Sequence, residues 1–315
     1  MAISKVALAG KGRLGSVVLD ELIKAGFEMT VLTRSVSAPS LRNIPDGVQV
    51  IEVDYTSQDS LQAALKGHDA VVSTVAGVAV ATQKPLIDAA IANGVKHFIP
   101  ADYAMSLRNP AVRLLPPYTD VLEIEKYLRA RSDEISWTIV ACGGFLEYVF
   151  DLPFMIDLAH RRIDIVNGGN VPFSISDFGT VARAISEVLK QPGRVVGHCV
   201  QVHGMLVTQN EVLEIAKQYS SDPGSWVVSE KDARLKFEEG LDMLKRGEFT
   251  MTAVSTLMAG VVWDPNYLTG FQETDNEWLG VEELSKERLE ETIRGKVLGG
   301  VSGIAEDKIV SNVEA

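Results

Sequence analysis

The amino-acid sequence predicts an α/β fold in which a parallel sheet is covered by helices on both faces. Short, almost wholly apolar runs alternate with amphipathic segments through the first half of the chain, as doubly buried strands and their crossover helices require. A glycine triplet closes the first apolar run and opens the first amphipathic segment. Beyond about residue 150 the rhythm loosens into a smaller, mostly helical region.

Each element follows from its own pattern. Lys5–Ala9 (KVALA) reads as the first strand. From Leu14 to Ala25, apolar residues recur at Leu14, Val17, Val18, Leu22 and Ile23, the spacing of one helix face, and Gly26 ends the segment. Glu28–Thr33 and Val48–Val53 read as strands, and Ser57–Leu65 as a helix opened by Ser57. Strands at Ala70–Val75, His97–Pro100 and Ser136–Ala141 then alternate with helices at Gln83–Ala92 and Tyr118–Ser132. A helical bundle with apolar loops would not place β-branched runs at this period. Further on, Arg162–Val166 and Cys199–Val202 read as strands, and Gly168-Gly169-Asn170 as a turn. Asp177–Leu189 is a helix capped by Ser176 or Asp177. Thr208–Tyr219, Glu230–Arg246 and Glu282–Lys296 read as helices, and Asp264–Glu277 as a long loop. The expected organisation is a nucleotide-binding domain at 1–153, to which 173–203 returns. The remainder of 154–315 forms a smaller substrate-binding region, and a cleft between the two takes the ligand.

Composition narrows the function classes. Thirty Lys+Arg against 42 Asp+Glu in 315 residues leave a net charge of −12, which argues against nucleic acid or an anionic membrane surface as the main partner. The two cysteines, Cys142 and Cys199, form no CxxC, so a zinc ribbon or disulfide framework is not expected. The five histidines have no metal-binding spacing, and no G-x-S-x-G occurs. The longest apolar candidate, Val71–Ala81, is broken by Ser73, Thr74 and Gly77 and is too short to span a bilayer. The N-terminus enters a strand at once, without the layout of a cleavable signal. The chain therefore reads as a soluble, cytoplasmic protein whose partner is a small molecule.

The glycine triplet carries the chemistry. Gly10-Lys11-Gly12-Arg13-Leu14-Gly15 is a G-x-G-x-x-G in the strand-to-helix context of a dinucleotide site, which predicts a Rossmann-type doubly wound sheet. The first glycine permits the turn, the second admits a pyrophosphate, and the third allows close helix–strand packing. Lys11 and Arg13 add positive charge to the loop. Arg34, 19 residues beyond Gly15, lies between Thr33 and Ser35 where a carboxylate would favour NAD. An arginine flanked by hydroxyls suits a 2′-phosphate, so NADP(H) is the expected cofactor. Asp54 is a candidate for the adenine side, and Ala76 and Gly77 for the nicotinamide side; a plain strand-end role remains open for each.

The motifs VALAGKGRLGSVV, VLTR, VVSTVAG, QKPLIDAAIANGVKHFIPADY and ISWTIVACGGFLEYV together resemble the NmrA-like/isoflavone-reductase-like branch of atypical short-chain dehydrogenases. The resemblance covers most of residues 3–220. Pro100-Ala101-Asp102-Tyr103-Ala104 stands where that family has P-S-E-F-G, and Asp177-Phe178-Gly179 where it has D-I-G. The resemblance implies NADP(H) bound along Gly10–Gly15 and Arg34, a single-chain Rossmann core and small aromatic or secondary-metabolite substrates. Some members of the branch are NADP-sensing regulators without turnover.

Two departures bear on mechanism. The Tyr-x-x-x-Lys pair of classical short-chain dehydrogenases is absent, since Tyr103, Tyr118, Tyr127 and Tyr148 are followed four residues on by Leu107, Leu122, Arg131 and Leu152. Alignment of Ile135-Ser136-Trp137-Thr138 with the family's strand places Glu123 at its lysine position, with Lys126 one turn away. Glu123 is then a solvated helix charge paired with Lys126 or Tyr127, or else an acid/base whose pKa burial has raised. Lys126 would serve only after a register shift. Asp102 and Tyr103 follow the fifth strand at the edge where ligands bind; Tyr103 is a candidate proton donor or stacking residue. Phe145, Tyr148 and Phe150 line either the cleft or the core. Three functions remain in view: an NADP(H)-dependent reductase of a small apolar metabolite, a non-redox isomerase using Glu123, and an NADP(H)-sensing regulator.

Overall fold

Alternation along the first strand assigns two separate cores. In the computed structural model, which describes residues 2–103, 110–151, 155–195 and 198–299, the strands are β1 (Lys5–Ala9), β2 (Glu28–Thr33), β3 (Gln49–Glu52), β4 (Ala70–Ser73), β5 (His97–Ile99), β6 (Ser136–Ala141), β7 (Gly144–Phe145), β8 (Arg162–Val166), β9 (Phe173–Ser176), β10 (His198–Gln201), β11 (Met205–Val207) and β12 (Val227–Lys231). Val6 and Leu8 of β1 enter one core, and Ala7 and Ala9 the other. Successive side chains of a strand face opposite ways, so a strand covered on both faces must be apolar throughout.

Seven strands pair in parallel in the order β10-β6-β5-β4-β1-β2-β3. The chain runs outward from β1 to β3, then crosses back to β4 and continues the other way. The reversal leaves a crevice at the carboxyl ends of β1 and β4, where Leu8 lies between Val31 and Val72.

The helices are α1 (Arg13–Lys24), α2 (Gln58–Leu65), α3 (Gln83–Ala92), α4 (Pro110–Arg113), α5 (Thr119–Arg129), α6 (Leu146–Val149), α7 (Phe178–Lys190), α8 (Gln209–Tyr219), α9 (Ala233–Lys245), α10 (Met251–Val262) and α11 (Lys286–Gly299). Helices α1 and α7 cover one face of the sheet with Val18, Leu22, Val181 and Ile185. Helices α2, α3 and α5 cover the other with Leu61, Leu86, Ile124 and Leu128. The C-terminal part places two small sheets, β11-β9-β7 and β12-β8, against α8 to α11 around Phe150, Phe173, Trp263 and Ile293. Thus α7 and β10 join the main sheet layer, whereas β9 pairs with β7 beside the crevice. Among the described residues no helix is long and apolar enough to cross a membrane.

Several boundaries differ from the sequence expectation, each for a local reason. Asp177, not Ser176, caps α7 by accepting from the Thr180 N–H, while the Ser176 hydroxyl donates to the Cys142 carbonyl. The segment expected to be helical from Glu230 begins as β12, and Asp232 then caps α9. Helix α10 was not expected: it is apolar on nearly every face and so lacks a one-sided stripe. It packs on α9 so closely that a Cβ at Gly240 would lie 2.3 Å from the Leu257 nitrogen. Residues 264–277 form the expected loop apart from a short turn at Pro265–Tyr267.

Candidate functional site

The loop between β1 and α1 has three glycines with two different justifications. Gly10 adopts φ +92°, and a Cβ there would approach the Thr74 and Val75 backbone at 3.1 Å. A Cβ on Gly15 would meet the Gly10 carbonyl oxygen at 2.2 Å. That carbonyl also accepts from the Thr74 hydroxyl at 2.5 Å, so the protein's own packing excludes side chains at both positions. Around Gly12 a Cβ would meet nothing within 4 Å, and its φ of −80° suits any residue. A glycine without a steric reason inside the protein points to a guest that needs the backbone bare. Helix α1 also has no capping side chain, and its first turn leaves N–H groups without helical acceptors. Together these features make an anion cradle.

A cavity of about 750 Å³ opens beside the loop. Its walls include Gly10, Lys11, Gly12, Arg34, Tyr55 and Ala76. Arg34 is exposed at the end of β2 and has no ion-pair or hydrogen-bond partner among the described residues. Lys11 donates to the Ser40 carbonyl at 2.8 Å and so reaches across the mouth. Tyr55 donates to the Leu32 carbonyl at 3.3 Å, and burial raises its phenol to about 12 against the pull of Arg34. These residues fit an adenosine bearing an extra phosphate: a phenyl ring, a free guanidinium and an ammonium around an open crevice.

Part of the expected cofactor set lies elsewhere. Asp54 is exposed and accepts from the Thr56 hydroxyl and N–H, hydrogen bonds that hold its carboxyl low; the next residue, Tyr55, lines the cavity instead. Both residues lie past β3 in a turn, where Asp54 faces Thr56 and solvent and Tyr55 faces the cavity. Leu14 packs into the core against α1's own layer, and Gly15 is buried. Gly77, with φ +59°, starts a short helical turn and is exposed beyond the lining residues.

On the other side of the loop stands an aromatic wall. Tyr103 packs on Phe145 at 6.3 Å, Phe145 on Phe178 at 5.3 Å, and Tyr148 on Phe178 at 5.4 Å. The Arg13 guanidinium lies over Tyr148 at 4.4 Å and over Phe178 at 5.7 Å, so its side chain turns to this wall and is absent from the cavity lining. The Tyr103 hydroxyl donates to the Ser73 carbonyl at 2.8 Å, and burial pushes its pKa up. A phenol so placed is a structural donor, not a poised acid. Phe150 is fully buried in the C-terminal core, whereas Phe145 and Tyr148 are half-buried in the wall.

Asp102 is buried in an ion pair, not offered to a ligand. Arg113 grips it at 3.2 and 2.7 Å and reaches Glu125 of α5 at 2.7 Å. Burial raises the Asp102 carboxyl despite the opposing pull of Arg113. Burial also acts upward on Glu125, but hydrogen bonds from Arg113 and Arg129 outweigh it and hold that carboxyl low.

Glu123 is solvated and is not among the residues that line the cavity. Its side chain is 49% exposed, bonds Lys126 at 2.9 Å and faces Lys84 at 3.8 Å. The hydrogen bond from Lys126 lowers its pKa, the reverse of the burial-raised acid that general acid–base work would need. Lys126 itself is 61% exposed in that pair. The reason is helical phase: Ile124 and Leu128 are the buried residues of α5, so Glu123 is turned outward.

Sequence reasoning missed Tyr55, Phe178, Arg113 and Glu147. Glu147 accepts from the Phe178 N–H at 2.9 Å through Oε1, its Oε2 is buried without a partner, and burial raises its pKa. A carboxylate two residues beyond Phe145 was the available signal, but its partner is a backbone amide 31 residues away. Among the described residues no group of three His, Cys, Asp or Glu is arranged to hold a metal ion.

Comparisons with known proteins identify the family and the fold. A family profile described as the NmrA-like family matches residues 4–227. Oxidoreductase aprR of Aspergillus flavus is 28% identical over 299 residues, which cover 93% of this chain and 96% of the relative. Pinoresinol reductase 2 of Arabidopsis thaliana is 24% identical over 264 residues, covering 76% and 78%. Among solved structures, AtPrR2 with NADP+ and (+)-pinoresinol superposes with a TM-score of 0.72 at 20% identity, covering 93% of this chain and 98% of the other. The leucoanthocyanidin reductase–NADPH complex of Vitis vinifera gives 0.70 at 16% identity, covering 94% and 100%.

Proposed function

The chain belongs to the NmrA-like family, and on that premise we propose that it is an NADP(H)-dependent oxidoreductase acting on a small, largely apolar metabolite. The observation that carries the reading is the bare Gly12 beside an uncapped α1, with Arg34 free at the end of β2. The oxidoreductase names of relatives and the NADPH-bound reductases of the same fold support it.

When bound, NADPH supplies a hydride. The chain's own part is to hold and orient. The amides opening α1 and the Gly12 backbone would bind the pyrophosphate, with the helix dipole favouring its charge. Arg34 and Lys11 would take the 2′-phosphate, and Tyr55 would pack on the adenosine. The other half of a dinucleotide would extend from β1 toward β4 and β5, following the sheet order. There the substrate would lie against the rings of Phe145 and Tyr148. Glu123, solvated and paired with Lys126, gives the acid–base isomerase reading no support.

Gly12→Val tests the reading. The position tolerates a side chain in the empty protein, so melting should be unchanged while NADPH affinity falls about a hundredfold or more. Undiminished NADPH binding in that variant would show that no phosphate sits on the loop.

A further inference from the structure

We propose that Arg13 anchors an anionic group of the substrate, so that the metabolite taken by this site is a small carboxylic acid with an aromatic or apolar body. The inference rests on the oxidoreductase reading and deepens it. Arg13 sits inside the glycine loop, where a cation would be expected to serve the cofactor, yet its side chain is turned away from the nucleotide cavity. That cavity is lined by Gly10, Lys11 and Gly12 of the loop but not by Arg13. The guanidinium is spread over the Tyr148 ring at 4.4 Å and the Phe178 ring at 5.7 Å. The guanidinium also hydrogen-bonds Tyr148, but with five N–H donors it keeps others in the plane that a carboxylate meets.

Arg13 is exposed and forms no ion pair among the described residues. The nearby carboxylates are turned to other partners: Glu147 Oε1 accepts from the Phe178 N–H while its Oε2 is buried and unpaired, Asp177 accepts from the Thr180 N–H, and Asp151 pairs with Lys296. The neighbours of Arg13 describe the rest of the ligand. Phe145 lies 6.1 Å from Tyr148 and 6.3 Å from Tyr103, an apolar surface for a planar body whose acid end reaches Arg13.

The experiment titrates the protein first with NADP+ alone, then, with NADP+ bound, with cinnamate and with cinnamyl alcohol, by calorimetry. These probes share one carbon body and differ in charge. Cinnamate should bind at least about tenfold more tightly than the alcohol, as a charge-assisted bidentate contact allows. Arg13→Ala should bring the two ligands within about threefold of one another, Arg13→Lys should retain part of the preference, and NADP+ affinity should stay within about twofold in both. Arg13 is exposed, so unchanged melting confirms that the variants fold. A wild-type protein that does not prefer the acid, or does not bind it, overturns the proposal. So does a loss of NADP+ affinity in Arg13→Ala that matches the loss of cinnamate, which would return Arg13 to the pyrophosphate. Absence of NADP+ binding in the wild type sinks the oxidoreductase reading itself and this one with it.

Discussion

The Tyr103 hydroxyl donates to the Ser73 carbonyl at 2.8 Å, tying the segment after β5 to the end of β4. The bond spans the carboxyl edge of the sheet and spends the one proton that made Tyr103 a candidate acid. Tyr103→Phe should therefore cost about 1 kcal/mol of stability, the net worth of a neutral hydrogen bond. Turnover should remain within about threefold, because no transition-state contact is removed. Thermal melting and kcat measured side by side check this; a hundredfold fall in kcat at unchanged melting would restore Tyr103 as the acid.

Glu123→Gln removes a carboxylate that faces Lys126 and Lys84 in solvent. Activity and its pH profile are expected to be unchanged. A lost limb in the pH–rate profile would place Glu123 in the chemistry after all.

The Asp102–Arg113 pair is a different case, since both side chains are almost wholly buried. Removal of one partner strands the other charge, so Asp102→Ala or Arg113→Met should each destabilise the fold by about 3–5 kcal/mol. The double variant should lose much less than the sum of the two, because no orphaned charge of the pair then remains. Urea unfolding of the four proteins measures the coupling; additive losses would mean that the pair does not act as a unit.

His97 gives the fold an acid sensitivity. The Thr138 hydroxyl donates to the Val195 carbonyl at 2.8 Å, so it accepts from His97 Nε2–H at 3.1 Å and leaves Nδ1 buried and unpaired. Burial lowers the His97 pKa from 6.5 to about 4. The folded state binds fewer protons than the unfolded state between those values, so stability rises with pH across that window and is complete above it. Below about pH 4 the protein should have lost about 3 kcal/mol from this group. His97→Gln keeps a donor for Thr138 and should flatten the slope between pH 4 and 6.5; an unchanged slope would assign it to other groups.

Much of this was legible in the sequence because it is local. A strand, a glycine turn and a helix in succession need only chain neighbours, and β1, the Gly10–Gly15 loop, α1 and Arg34 all lie where the pattern puts them. What was hidden depends on facing. Glu123 and Glu125 are two residues apart on α5, yet one is solvated and the other is gripped by Arg113. Composition cannot separate them; the buried pair Ile124 and Leu128 can. Asp54 and Tyr55 changed places in the turn after β3, where Asp54 bonds Thr56 and Tyr55 faces the cavity. Helix α10 was missed because burial on nearly every side erases the periodicity that marks a surface helix. The direction of Arg13 was set by Tyr148 and Phe178, more than 130 residues away in the chain, and no local rule reaches that far.

Selection of NADP(H) by Arg34 in the crevice beside Gly12 is read from the dissociation constants of NADPH and of NADH for the wild type and Arg34→Ala. NADPH should bind the wild type more tightly than NADH, and Arg34→Ala should weaken NADPH about ten- to a hundredfold while leaving NADH nearly unchanged, the loss of charge-assisted contacts to one phosphate. Equal weakening of both nucleotides, or no preference in the wild type, would contradict the account.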